Sequence, residues 1–239
     1  MVYGGRYSSA ISAIRKTGTQ EKKVKFTLGF LVSRFHLNVI ELVVATRNTH
    51  KTREVQHILG PDFTVRDLQA YPEIPSIPES GTSFEENANL KALAASRKLQ
   101  TLVIADDSGL EVDALGGAPG IYSARYAGAN ATESDNIDKL LRELARVRAK
   151  ADERRARFRC VVALARNTTL LGTFEGIVEG MIANEVRGDS GFGYDPIFIP
   201  EGFEQTFGEL PKEVKNTISH RAKAIRTLSD TLRRRKFGA

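Results

Sequence analysis

A single cysteine, no apolar run near the ~18 residues that a membrane-spanning helix needs, no internal repeat and no low-complexity segment are what this 239-residue chain lacks. One cysteine excludes an intramolecular disulfide. Cys160 sits in Phe158-Arg159-Cys160-Val161-Val162, the pattern of a buried strand, where it reads as a small apolar side chain kept reduced. With no apolar span either, a cytoplasmic location without a membrane partner is the expectation. Net charge is the next absence. The formal +6 and sequence pI of about 9.5 suggest nucleic acid until they are divided along the chain. Residues 1–40 hold seven basic side chains against one acid, Glu21, whereas from Glu41 onward 28 basic residues meet 28 acidic ones. The body is neutral, so no nucleic-acid-binding face is expected.

A hydrophobic fraction of 41% with 27% charged residues suits one sizeable core. The expected organisation is a basic extension over residues 1–40 and a single domain over 41–239. The extension is Ser-, Gly- and basic-rich to Lys25 and briefly apolar from Phe26 to Phe35. An upstream start, a disordered tail and a targeting peptide all fit it, and the Gly-rich opening argues against the amphipathic helix that the last requires.

The body is organised around Ile104-Ala105-Asp106-Asp107-Ser108-Gly109-Leu110. An apolar run stops at two carboxylates and a Ser-Gly pair, which reads as a strand ending in a polar turn. Ligands collect at the carboxyl ends of strands in α/β folds, and paired acids there suit a hard cation or deprotonation of a water. Upstream, Glu41 to Thr46 reads as a buried strand, Arg47-Asn48-Thr49-His50-Lys51 as a loop, and Val55, Ile58 and Leu59 as one face of a helix. Such a loop aims backbone N–H groups and a lysine at a phosphate, but it lacks the glycines of a P-loop and equally fits an ordinary turn. Phe63 to Val65 reads as a second strand, and Tyr71 to Ser80, with three prolines, as a loop ending at Glu79.

Ser83-Phe84-Glu85-Glu86 has the form of a capping box, opening a helix with Leu90, Leu93 and Ala94 on its buried side. Asn87 and Lys91, four apart, share a face. Gly116 to Gly120 forces a tight loop, and Glu133 to Val147 is an amphipathic helix burying Ile137, Leu140, Leu141, Leu144 and Val147. Phe158 to Ala165 and Leu170 to Val178 form a hairpin through Asn167-Thr168, with Gly172, Gly176 and Gly180 implying bulges or strong twist. A glycine-aromatic loop, Gly188 to Pro196, precedes a short strand at Ile197 to Ile199. Lys215 to Arg221 opens a last helix whose Ile225, Leu228 and Leu232 face inward.

Thr46-x-Asn48-x-x-Lys51, Ser83-Phe84-x-Glu86-Asn87-Ala88, Ala105-Asp106-Asp107-Ser108-Gly109-Leu110, Gly116-Gly117-Ala118-Pro119-Gly120, Gly191-Phe192-Gly193-Tyr194-Asp195-Pro196 and Ser219-His220-Arg221 occur in one order. Together, from about Leu42 to Leu232, they resemble the inosine/xanthosine triphosphate pyrophosphatase family. The resemblance implies an elongated α/β fold, a long twisted mixed β-sheet with flanking helices forming two lobes around a central nucleotide cleft. It implies a homodimer that hydrolyses ITP, dITP and XTP to the monophosphate and pyrophosphate with Mg²⁺. By the same resemblance Asp107 matches the catalytic and metal-binding carboxylate, Glu79 a second metal-site acid and Ser108 a substrate contact. Thr46, Arg47, Asn48, Thr49, His50 and Lys51 match the phosphate loop, with Lys91 as a second neutralising lysine. Phe192, Gly193, Tyr194, Asp195, Lys215, His220 and Arg221 match the base pocket, where an Arg221 or backbone donor accepts the 6-keto oxygen and disfavours adenine. Arg47 departs from the family, standing where many members have glycine and adding a positive charge.

Two other readings stay open at this level. A related pyrophosphatase acting on modified pyrimidines would share the fold, although Ser219-His220-Arg221 with Phe192 to Asp195 favours purines. A non-catalytic nucleotide sensor, or a nucleic-acid binder using residues 1–40, is the other; intact Asp107, Lys51 and Glu79 argue for an enzyme. If residues 1–40 are an extension, removing residues 1–38 leaves turnover intact, and a truncated chain that folds without turning over would overturn that reading.

Overall fold

Six strands account for the frame: β1 (Ile40–Val44), β2 (Phe63–Asp67), β3 (Leu102–Val112), β4 (Arg155–Arg166), β5 (Thr169–Ile182) and β6 (Phe198–Pro200). In the computed structural model, which describes residues 39–235, they form one sheet in the order β2-β1-β3-β4-β5-β6. Pairing is parallel for β2-β1-β3 and antiparallel from β3 to β6. The helices are α1 (Thr49–Leu59), α2 (Phe84–Ser96), α3 (Glu133–Arg146), α4 (Lys212–Ile218) and α5 (His220–Arg235). The described residues make one compact unit; residues 1–38, the bulk of the basic segment, lie outside them.

Strand alternation divides the core. Leu102 and Ile104 of β3, with Cys160 and Val162 of β4, face Val55 and Leu59 of α1 and Ala224, Ile225, Leu228 and Leu232 of α5. Val103 and Ala105, with Val161 and Ala163, face Phe84, Ala88, Ala92 and Ala95 of α2. Farther along, Leu110, Val112 and Phe158 pack with Ile137, Leu140 and Leu144 of α3 and with Phe198 and Phe207. Even-numbered β3 residues thus meet α1 and α5 before Asp106 and the α3 cluster after Ser108, which leaves a cleft between the two groups.

Several expectations change. The polar turn at Asp106 to Gly109 does not exist: β3 runs through it, paired with β4 from Val103↔Ala165 to Val112↔Ala156. On α2, Leu90 is exposed while Asn87 and Lys91 are buried beside Phe84, Ala88 and Ala92. At its start Ser83 Oγ accepts from the Glu86 amide (3.1 Å), but the Glu86 carboxylate takes the amide and hydroxyl of Thr82 instead of closing the box. The reciprocal box occurs at Thr132 and Asp135 of α3, and Val147, placed on its buried face, is exposed.

The β4–β5 hairpin turns at Asn167 (φ 48°) and Thr168 (φ 65°), the left-handed pair that matches strand twist. Gly176 and Gly180 serve close approach, not bulging. A Cβ on Gly176 would lie 2.0 Å from the His220 carbonyl oxygen, and one on Gly180 would lie 2.2 Å from that of Ile199. The one register shift in this pair falls between Leu164 and Ala165, opposite Leu170 to Gly172. The final helical segment is broken at Ser219, which is extended (ψ 159°). Ser219 Oγ accepts from the Ala222 amide (3.2 Å) and so starts α5 afresh.

Because α5 rests on backbone at Gly176, Gly176→Ala is expected to destabilise the protein by about 3 kcal/mol in urea denaturation. An unchanged midpoint would show that α5 can shift without cost.

Candidate active site

Pairing between β1 and β3 ends at Val44↔Ile104. Beyond it the β3 edge carries no neighbouring strand and is crowded by the β1–α1 loop, the run toward Glu79 and the 3-10 turn Gly120–Arg125, whose Ser123 Oγ accepts from the Leu110 amide (2.9 Å). This is the place in an α/β sheet where ligands gather. Here alternation separates the adjacent acids, so Asp106 and Ser108 turn to the α1/α5 side and Asp107 to α2. They are not a pair that can grip one cation.

On the α1/α5 side Asp106 Oδ2 receives Lys51 Nζ (3.0 Å), Arg221 Nη2 (2.9 Å) and Nε (3.2 Å), and the Ser108 hydroxyl (3.1 Å). Arg221 Nη1 continues to Glu54 Oε2 (2.6 Å), whose other oxygen takes Lys215 Nζ (2.8 Å), which also reaches Asp195 Oδ2 (2.6 Å). Lys51, Arg221 and Lys215 therefore alternate with Asp106, Glu54 and Asp195. Burial would raise the Asp106 carboxyl, but Lys51, Arg221 and Lys91 outweigh it and hold the group far below the usual carboxylate range. Glu54 is lowered in the same way by Arg221 and Lys215. For Asp195 burial prevails over Lys215 and the carboxyl is raised.

On the α2 side Lys91 Nζ lies 2.8 Å from both Asp107 Oδ1 and Glu79 Oε1. Asn87 Nδ2 donates to Asp107 Oδ2 (3.1 Å), and Arg125 Nη1 to Glu79 Oε2 (3.0 Å). Asn87 and Lys91 thus use their shared helix face for the site. Asp107 is raised because burial outweighs Lys91 and the Glu79 charge adds repulsion. Glu79, also opposed by burial but flanked by Lys91 and Arg125, falls to about 2. The neighbouring carboxylates therefore differ in electrostatics, Asp107 being raised and Asp106 lowered from the ordinary carboxylate value. Among the described residues no three His, Cys, Asp or Glu side chains cluster as metal ligands. Asp107 and Glu79 already converge on one cationic centre, the Lys91 ammonium, and two carboxylates suffice for Mg²⁺ when phosphate oxygens and water complete its shell.

A cleft of about 200 Å³ opens on the α1/α5 side. Asn48, Lys51 and Ser108 line it together with Phe192, Gly193, Tyr194, Asp195, Lys215, His220 and Arg221. The Phe192 ring has Lys215 Nζ at 4.6 Å, Arg221 Cζ at 5.6 Å and the His50 ring at 5.7 Å. Its loop is fixed by Asp195 Oδ2, which accepts the Phe192 amide (2.7 Å). The Tyr194 hydroxyl is committed to the Ser123 carbonyl (3.0 Å). His220 stacks on Phe158 at 4.8 Å. Burial, then Arg221 and Lys215, lower its pKa well below the ordinary range, so the ring is neutral. Its Nδ1 is buried without a partner among the described residues.

Two expectations about these residues change. Asn48 Oδ1 accepts from the amides of His50 (2.9 Å) and Lys51 (3.4 Å), so those two N–H groups are capped and Lys51 offers its ammonium instead. Thr46, Arg47, Thr49 and His50 do not line the cleft, and the Arg47 guanidinium points to the carbonyls of Leu68 and Ile74. The Arg221 guanidinium is largely committed, with Nε and Nη2 donating to Asp106 and Ser108 and Nη1 to Glu54, which leaves one Nη1 N–H of its five donors. Sequence reasoning missed Glu54 and the separate role of Asp106. The signal for Glu54 was its spacing, three residues after Lys51 on the same face of α1.

The chain is similar to known proteins over most of its length. The Ham1 family profile matches residues 42–231. The dITP/XTP pyrophosphatase of Halalkalibacterium halodurans is 48% identical over 193 residues, covering 80% of this chain and 98% of that protein. That of Bacillus subtilis is 47% identical over 193 residues, covering 80% and 96%. Among solved structures, a HAM1 protein from Coxiella burnetii superposes with a TM-score of 0.74 at 40% identity, covering 82% of this chain and 99% of the other. The Staphylococcus aureus Ham1 protein gives 0.72 at 43% identity with the same coverage.

A carboxyl held below its ordinary value stabilises the fold above that value and ceases to as pH falls through its folded value; a raised one does the opposite. Asp106→Asn is thus expected to cost about 3 kcal/mol at pH 7, a difference that narrows below about pH 4, since it strips Lys51 and Arg221 of their shared acceptor. Asp107→Asn removes a charge that burial opposes but also one of the two acceptors of buried Lys91, which keeps Glu79, so a smaller cost of about 1–2 kcal/mol is expected. Urea denaturation at both pH values separates the two, and equal stabilities would mean that the two carboxylates share one environment.

Proposed function

The chain belongs to the Ham1 family, and on that premise we propose that it hydrolyses the non-canonical purine nucleoside triphosphates ITP, dITP and XTP to the nucleoside monophosphate and pyrophosphate. The observation that carries this reading is the division of labour across β3. Lys51 and Lys91 approach one stretch of strand from opposite faces, beside a carboxyl, Asp107, whose pKa is raised. Hydrolysis between the α- and β-phosphates places water on one phosphorus and sends negative charge onto the departing pyrophosphate. The two ammonium groups offset that charge, and Asp107 accepts the proton of the attacking water. Asn87 orients Asp107 through its second oxygen. Mg²⁺, held by Asp107 and Glu79, would supply Lewis-acid stabilisation of phosphate oxygens.

For the base, Phe192 offers a stacking face, and neutral His220 lines the cleft with its buried Nδ1 free of any partner among the described residues. In the tautomer with its proton on Nδ1, His220 donates to a 6-keto oxygen and opposes the donor of a 6-amino group. The buried Lys215–Asp195 pair holds the aromatic loop in place. We infer further that residues 41–239 are the catalytic domain and that the protein works as a cytoplasmic homodimer without nucleic acid. The neutral body supports the last point, and among the described residues no helix is long and apolar enough to cross a membrane.

Pyrophosphate release from ITP, dITP, XTP, GTP, ATP and dUTP, with Mg²⁺ and with chelator, tests the reading. Metal-dependent release biased to ITP, dITP and XTP is expected, with kcat falling about 100-fold or more in Asp107→Asn while nucleotide still binds. Preference for dUTP would move the assignment to a pyrimidine enzyme, and near-normal turnover in the variant would remove Asp107 from the chemistry.

A further inference from the structure

Arg47 was expected to add charge at the phosphate loop, yet its guanidinium forks the other way. Nη1 donates to the Leu68 carbonyl (2.8 Å) and Nη2 to that of Ile74 (2.6 Å), residues 21 and 27 positions on. The contact is returned from the far side: Gln69 Nε2 donates to the Arg47 carbonyl (3.2 Å) and the Leu68 amide to that of Thr46 (3.0 Å). Leu68 and Ile74 are buried in the α2-side core, so the two carbonyls are fixed points.

The run after Ile74 has little else to hold it. Pro75 and Pro78 have no amide proton, and among the described residues no backbone–backbone hydrogen bond engages residues 75–80. Through its backbone the run is secured only at its ends. At the far end the Gly81 amide donates to Asn87 Oδ1 (2.8 Å), and the same Asn87 amide group donates to Asp107. At the near end the tie is Arg47. Glu79 lies between them and meets Lys91 and Arg125.

We propose that Arg47 is a positioning residue: it straps the segment that carries Glu79 to the loop that carries Lys51, and so fixes the Glu79 carboxylate against Lys91. Bridging two carbonyls needs the planar fork of arginine. A lysine in its place keeps the charge and loses the bridge, which distinguishes strapping from neutralisation of phosphate.

The test compares wild type with Arg47→Met and Arg47→Lys in the full chain. In hydrogen exchange without nucleotide, amides within residues 68–81 are expected to exchange about ten-fold faster in both variants, while α1 and β3 are unaltered. In kinetics, an arm that rests on the pyrophosphatase reading, both variants are expected to lose about five-fold or more in kcat with KM within about two-fold, and to need more Mg²⁺ for half-maximal rate. Unchanged exchange in both variants overturns the strap, as does a lysine variant that restores what methionine loses. A wild-type protein without activity would sink the pyrophosphatase reading alone, since exchange still decides the strap.

Discussion

Successive side chains of a strand point to opposite faces, and β3 places two carboxylates at consecutive positions just where its parallel neighbour stops. The site depends on this constraint. Asp106 enters a pocket of cations formed by α1 and α5, Asp107 enters the space above α2, and the main chain between them is held by β4 on one side only. A one-residue slip of β3 against β4 would exchange the two acids and put Ile104 and Leu110 on the wrong face, so the register that fixes the core also fixes the chemistry.

The charges show how such a site is maintained. Arg221 is only 1% exposed, and a buried cation is tolerated when it is paired and hydrogen-bonded. Asp106, Glu54 and Ser108 take four of its five N–H donors. Lys51, Arg221 and Lys215 balance Asp106, Glu54 and Asp195, so this half of the site carries no excess charge. The α2 half is less comfortable. Glu79 has two cations, whereas Asp107 shares Lys91 with it and feels its repulsion. Disfavoured ionisation thus falls on Asp107 in this half and on the buried Asp195 in the other.

Much of this was legible where pattern and burial coincide. α3, with Ile137, Leu140 and Leu144 at helical spacing, and the β4–β5 hairpin with its Asn-Thr turn follow from local rules. The failures occur where polar groups are buried. Asp106 to Gly109 reads as a turn because four polar or small residues rarely continue a central strand, and what permits it is supplied by Arg221, far along the chain. On α2 the apolar residues misled, since the buried face is partly Asn87 and Lys91, whose cost is met by Asp107 and Glu79. Glu54 went unread for the same reason, since its partners Lys215 and Arg221 lie far along the chain. Arg47 read as a phosphate ligand by position alone; its direction is set by two carbonyls that no local pattern marks.

The ion pairs also bear on how a nucleotide would be admitted. Lys51 is bonded to Asp106 in this structure, so a triphosphate that engages Lys51 exchanges an internal partner for an external one. The exchange is inexpensive for Asp106, because Arg221 and the Ser108 hydroxyl remain on the same oxygen. Lys91 differs, since its two carboxylates have fewer alternatives: Asp107 retains only Asn87, and Glu79 only Arg125. Drawing Lys91 toward a phosphate would leave Asp107 and Glu79 facing one another, so parting with Lys91 costs this half of the site more than parting with Lys51 costs the other.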